Sequence, residues 1–145
     1  MLYTILLKSH SGLRWLLLAL FIATLIQLGR KAFSGAAVPA KRLALFTLIL
    51  AHIQLLLGLS LYFISPKVHF DAAAMSDSIL RFYLVEHISL MLLAIIILTI
   101  GYSKTKNRLQ EISFSKKAFY YYLVSLILIL VSIPWPFRIA GAGWF

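Results

Sequence analysis

The chain has 145 residues, 62% of them hydrophobic and 12% charged, with no cysteine and a formal net charge of +10. Soluble domains are typically about 45–50% apolar, so a water-exposed fold could not hide this much hydrocarbon, and the missing cysteines exclude disulfides and thiolate metal ligation. The positive charge does not point to nucleic acid, because the basic residues fall between apolar runs and not on a polar surface.

In chain order, four runs are long and apolar enough to cross a membrane, which takes about 20 residues. They are residues 2–28, 43–64, 79–102 and 118–135. The first is interrupted by Lys8, His10 and Arg14. It is expected to remain in the protein, not to be cleaved as a leader, because its apolar stretch is long and Arg30-Lys31 follow it like a stop-transfer signal. The third and fourth runs are rich in β-branched residues, yet backbone groups in lipid must bond within their own segment, so all four are expected to be helices. The linkers are short: residues 30–42 with Gly35 and Pro39, residues 65–78 with Pro66 and two aspartates, and the polar, basic residues 103–117. Ser76 or Asp77 is placed to cap the third helix. Pro134 and Pro136 should end the fourth. The expected fold is an all-α, single-domain, up-down-up-down four-helix bundle.

Charge sets the expected orientation. Nine of the fourteen basic residues lie in the first and third linkers (Arg30, Lys31, Lys41, Arg42; Lys104, Lys106, Arg108, Lys116, Lys117). Cytoplasmic loops collect Lys and Arg, so both termini should face outward from a bacterial inner membrane. Trp15, Tyr62, Tyr83, Trp135 and Trp144 then fall in an outer aromatic belt, and Tyr120, Tyr121 and Tyr122 near the inner interface.

Ionisable side chains inside a span are functional candidates. This chain has several, among them His10, Arg14, His52, Glu86 and His87. At about 1.5 Å per residue, Arg14 and Glu86 both lie roughly 24 Å above the cytoplasmic boundary, so they are expected to pair or share a polar network. His10 and Arg14 are four apart and share a helix face, continued inward by Leu17, Phe21 and Thr24. His52 lies near mid-bilayer, His87 about 7 Å higher and His10 higher again by a similar step. Imidazole is a good ligand for haem iron, and four-helix bundles hold cofactors between facing helices. His52 and His87 are therefore expected to be axial ligands of a haem b, with His10 the alternative. Gly58 and Ala94 would give room for a flat ring, and Arg14, Arg81 and Arg138 would lie near the propionates. Covalent c-type attachment is excluded, as there is no Cys-x-x-Cys-His. His69 should be solvated in an outer loop.

Four stretches carry a resemblance: Ser9-His10-Ser11-Gly12-Leu13-Arg14-Trp15, Ala51-His52-Ile53-Gln54, Val85-Glu86-His87, and Ile133-Pro134-Trp135-Pro136-Phe137-Arg138, together with the terminal Gly141-Ala142-Gly143-Trp144-Phe145. Over nearly its whole length the chain resembles a group of small four-span membrane proteins of Bacteroidetes-type bacteria commonly labelled cytochrome b or left uncharacterised. That resemblance implies a bacterial inner-membrane bundle and, through the label, haem. In general plan the chain also looks like membrane proteins of the copper-resistance D and protoporphyrinogen oxidase types, whose motifs it does not match closely.

The leading expectation is a b-type cytochrome passing single electrons, with a quinone or another membrane redox protein as partner. Two alternatives stay open. One is a metal- or proton-handling module built on His10, His87 and Glu86. The other is a non-catalytic subunit of a larger membrane complex or homo-oligomer. An enzyme acting on a soluble substrate is not expected, since no nucleophile–base set or phosphate-binding glycine loop is present.

Overall fold

The computed structural model describes residues 1–139 and 141–144. Ala140 and Phe145, the latter the last residue of the terminal motif, lie outside the described residues. Four helices are long and apolar enough to cross a membrane: α1 (Leu2–Ser34), α2 (Ala40–Ile64), α3 (Ser78–Thr105) and α4 (Ile112–Ser132). They form an all-α four-helix bundle in which α1 packs on α2 and on α4, and α3 packs on α4. The contact between α2 and α3 is the least extensive of the four. His10 on α1 and His87 on α3 are thus contributed by diagonal helices.

The helix ends differ from the expected ones for local chemical reasons. α1 runs six residues further, through Arg30 and Lys31, until Gly35 adopts φ 66°. The Gly35 and Ala36 amides then return to the carbonyls of Lys31 and Arg30, a left-handed cap that glycine adopts without a Cβ penalty. α3 starts where a cap was expected: the Asp77 carboxylate accepts from the Ile79 and Leu80 amides at 2.8 and 2.9 Å. α4 begins before Lys116 and Lys117, so these two are helical and not in the loop, and it stops at Ser132, three residues short of Trp135. Ile133 is extended, with ψ 132°, because a residue preceding proline is disfavoured in the helical region. In the loop between α3 and α4, Arg108 donates to both Glu111 oxygens at 2.6 and 2.7 Å. This hydrogen-bonded guanidinium holds the Glu111 carboxyl below its ordinary range.

Each helix turns one seam inward, and every seam repeats at alternating steps of three and four. On α1 it is His10, Arg14, Leu17, Phe21, Thr24 and Leu28; on α2, Ala40, Ala44, Thr47, Ala51, Gln54, Gly58 and Leu61. On α3 it is His87, Met91, Ala94, Leu98, Gly101 and Thr105; on α4, Ser115, Ala118, Tyr122, Ser125, Ile129 and Ser132. This is the left-handed bundle pattern, and its small and hydroxyl residues let backbones approach in lipid. Thr24 and Thr47 share a 2.8 Å hydrogen bond at the α1–α2 contact. Tyr122, expected as an interface anchor, is instead fully buried, its ring 6.0 Å from Phe21 and its hydroxyl donating to the Ala44 carbonyl at 2.7 Å. A hydroxyl on the seam finds a carbonyl there and need not reach water. Large apolar side chains such as Leu16, Ile22, Phe46, Leu56, Ile96 and Ile127 point outward and are more than half exposed, as lipid-facing positions should be.

At the α3–α4 contact a Cβ on Gly101 would collide with the Tyr121 Cβ and ring. Gly101→Ala should therefore force the two helices apart and cost about 1–3 kcal/mol. Gly12→Ala, where a Cβ meets nothing within 4 Å, should be neutral or stabilising by up to about 1 kcal/mol. Thermal unfolding of both variants in one detergent, followed by circular dichroism, checks the contrast.

Candidate functional site

The candidate site lies at the end of the bundle that carries both termini, where α1, α2 and α3 face one another. His10 projects from α1 and its ring lies against the Gly58 backbone on α2. A Cβ at Gly58 would come within 3.1 Å of His10 Cε1. The room that Gly58 was expected to leave for a cofactor is thus occupied by the imidazole itself. The Gln54 side chain, one turn earlier on the same seam, donates to the His10 backbone carbonyl at 2.6 Å and holds α1 and α2 in register.

His87 reaches the seam through a distortion. Residues Phe82–Glu86 of α3 form a π-turn between the α-helical turn Ser78–Arg81 and the helix His87–Thr105. The wider turn brings side chains five apart onto one side, and Arg81 Nε donates to Glu86 Oε1 at 3.1 Å. Single π-turns of this kind frequently mark functional sites. Directly after it, His87 Nδ1 lies 2.7 Å from the Ser132 carbonyl at the end of α4. A carbonyl only accepts, so Nδ1 carries the proton and Nε2 carries the lone pair. The His10 and His87 rings meet across the bundle with centroids 6.5 Å apart and planes at 78°. His10 Nδ1 is buried and has no hydrogen-bond partner among the described residues. The side chain is therefore short of one partner in a site that offers it a second imidazole.

Around this pair is a cavity of about 170 Å³, lined among others by His10, Arg14, Gln54, Gly58, His87 and Met91. Tyr62, Tyr83 and Lys67 line it as well, with Lys67 Nζ 5.3 Å from the Tyr83 ring centre. Residues Ala142 and Gly143 also line it, because the segment after α4 folds back over the opening. Arg14 Nη2 and Trp15 Nε1 both donate to the Trp144 carbonyl, at 2.7 and 3.2 Å. Trp15, Trp135 and Trp144 pack ring against ring, with centroids 6.1–6.3 Å apart.

Four expectations are corrected here. Arg14 and Glu86 do not pair: Arg14 is bound to the Trp144 carbonyl and Glu86 to Arg81. Arg138, which on sequence grounds could fold back toward Glu86 or a propionate, does not reach Glu86 either. It donates to the Val131 carbonyl in the last turn of α4 and lies over the Phe82 ring. His52 is not in the site. Its Nδ1 is 2.8 Å from the Leu48 carbonyl of its own helix and its Nε2 3.4 Å from Thr99 Oγ1. Thr99 is twelve residues from His87, and His52 is six from Gly58, so His52 sits roughly 9–18 Å down the bundle from the histidine pair. Finally, the predicted staircase of three imidazoles is a facing pair plus one apart. His69 is exposed, as expected, with Nε2 2.9 Å from the Pro66 carbonyl. Among the described residues no group of three or more His, Cys, Asp or Glu side chains is arranged to hold a metal ion.

Compared with protein-family models, curated proteins and solved structures, the chain matches none of them.

Sequence reasoning missed Gln54, the π-turn and the folded-back segment. Gln54 was detectable, since it lies on the small-residue seam of α2 four residues before Gly58. The anchoring of residues 141–144 has its own test. A hydrogen bond from a charged donor is worth about 1.5–3 kcal/mol, so Arg14→Met should release the segment and move tryptophan emission to longer wavelength. Lys67→Met, which removes a 3.3 Å contact to the Gly141 carbonyl and a cation–ring contact with Tyr83, should shift it less.

Proposed function

We propose that the chain is a b-type cytochrome of a bacterial cytoplasmic membrane, with its basic end inward, in which His10 and His87 would hold the haem iron and His52 would not. The observation that carries this reading is the facing of two imidazoles from diagonal helices. Two imidazoles that share one metal, each nitrogen about 2.0 Å from it, have ring centres roughly 6 Å apart; the pair here is at 6.5 Å. Ligating histidines almost always donate their other ring nitrogen to a carbonyl or carboxylate, and His87 does so to Ser132. The buried, unpartnered nitrogen of His10 is what a missing ligand bond leaves.

Haem, when bound, supplies one-electron redox chemistry. The chain supplies orientation and surroundings. Gly58 gives the His10 ring its seat, Ser132 fixes the His87 tautomer, and Arg14 and Lys67 are the cations lining the cavity that would meet carboxylates. The donor set fits the iron. The free volume, near the 150 Å³ that holds one benzene ring, is smaller than a four-pyrrole macrocycle. Binding it therefore requires the cavity to widen.

That volume favours a second reading, in which the cavity takes a single ring directly: the headgroup of a membrane quinone, whose reduced, quinol form would donate a hydroxyl to the lone pair of His87 Nε2. It needs no widening of the cavity.

One preparation discriminates the two. Purified in detergent, the protein should show a dithionite-reduced minus oxidised b-haem spectrum. That spectrum should persist in His52→Ala and vanish in both His10→Ala and His87→Ala, with helix content checked by circular dichroism. Retention of the spectrum in both site variants would end the ligand assignment. A colourless protein that releases stoichiometric quinone into organic solvent establishes the second reading instead.

A further inference from the structure

The opposite, basic end of the bundle presents a charge problem that the chain does not solve internally. Nine of the fourteen basic residues are at that end, and Glu111 is the one carboxylate there among the chain's four acidic residues. Arg108 already takes both Glu111 oxygens. Asp71, Asp77 and Glu86 are all at the far end, before or within the first turns of α3. Neither Lys104 nor Lys117 has an acidic partner among the described residues.

Those two lysines flank a groove between α3 and α4, lined by Ile97, Lys104, Phe114, Lys117, Tyr120 and Val124, with Thr105 and Tyr121 behind. The helices are antiparallel, so the groove is sorted along its length. Lys104 near the end of α3 and Lys117 near the start of α4 share the terminal level with Phe114. Ile97 and Val124 each lie seven residues deeper, about 10 Å further into the bundle. Lys117 Nζ sits 5.0 Å from the Phe114 ring centre, which holds its ammonium over the groove. Tyr120 is half exposed beside it. Two cations and a phenol at headgroup level, continuous with an open apolar trough, complement a molecule with an anionic head and hydrocarbon tails. Basic pockets between membrane helices recognise anionic lipid head groups on this principle.

We propose that this groove binds one anionic glycerophospholipid, with the phosphate between Lys104 and Lys117 and an acyl chain along Ile97 and Val124. The site is independent of whatever the histidine pair holds, which lies at the other end of the bundle. A free phosphate would satisfy the lysines but leave the apolar trough unused; the lipid uses both.

The test is native mass spectrometry of the full chain in detergent, titrated separately with phosphatidylglycerol and phosphatidylcholine of identical acyl chains. Wild type should retain one phosphatidylglycerol with a preference over phosphatidylcholine of at least about fivefold, the order expected of one lysine at a membrane surface. Lys104→Gln/Lys117→Gln should bring the two lipids level. Arg30→Gln/Lys41→Gln, with the same loss of charge outside the groove, should keep the preference. Equal retention of both lipids by wild type overturns the proposal, as does an identical loss in the control pair. Full displacement of the lipid by millimolar inorganic phosphate also overturns it, because the acyl chain would then contribute nothing.

Discussion

Hydrocarbon offers no hydrogen bond, and the rest of this structure follows from that constraint. Backbone groups inside a span must bond internally, and polar side chains there have only the chain itself to bond to. The partners are found on the inward seams. Thr24 meets Thr47, the Tyr122 hydroxyl meets the Ala44 carbonyl, Gln54 meets the His10 carbonyl, and His87 meets the Ser132 carbonyl. Small residues on the same seams bring the backbones close enough for these bonds to form. Packing and polar satisfaction are thus one device here: a side chain that interrupts the approach, as a Cβ on Gly101 would, also separates donors from acceptors.

At the end carrying the termini the device is left incomplete. His10 is pressed against Gly58 with a ring nitrogen unpartnered, and His87 is delivered to the opposite wall by a π-turn that a regular helix would not contain. A buried donor or acceptor without a partner costs about 1–3 kcal/mol. The bundle carries this cost next to a cavity, under a segment tied down by a buried arginine. Arg14 serves this region as a tether for residues 141–144 and not as half of an ion pair, while Glu86 secures the first turns of α3 through Arg81. The two ends of the bundle therefore differ in kind: one is closed by tryptophans and polar bonds over a pair of imidazoles, the other is an open ring of lysines and arginines short of counter-charge.

The number of helices, their approximate spans, the Asp77 cap and the inward face of α1 were all legible in the sequence. Each depends on local properties: run length, a capping carboxylate, or the spacing of residues on one helix. The off-seam position of His52 was legible too. The α2 seam passes through Ala51 and Gln54, and His52 is one residue, about 100°, from Ala51. Depth counted from helix ends could not supply that, since it places a residue along the axis but not around it. What only the tertiary structure decided is which seams face each other and how far the π-turn rotates the start of α3. Those relations join residues 77 positions apart, as with His10 and His87, and 130 apart, as with Arg14 and Trp144. In a bundle held by many weak, similar contacts, no local pattern specifies which helix lies opposite which. The pairing of the two histidines is a property of the packed helices, although each histidine was already marked by its presence in the membrane.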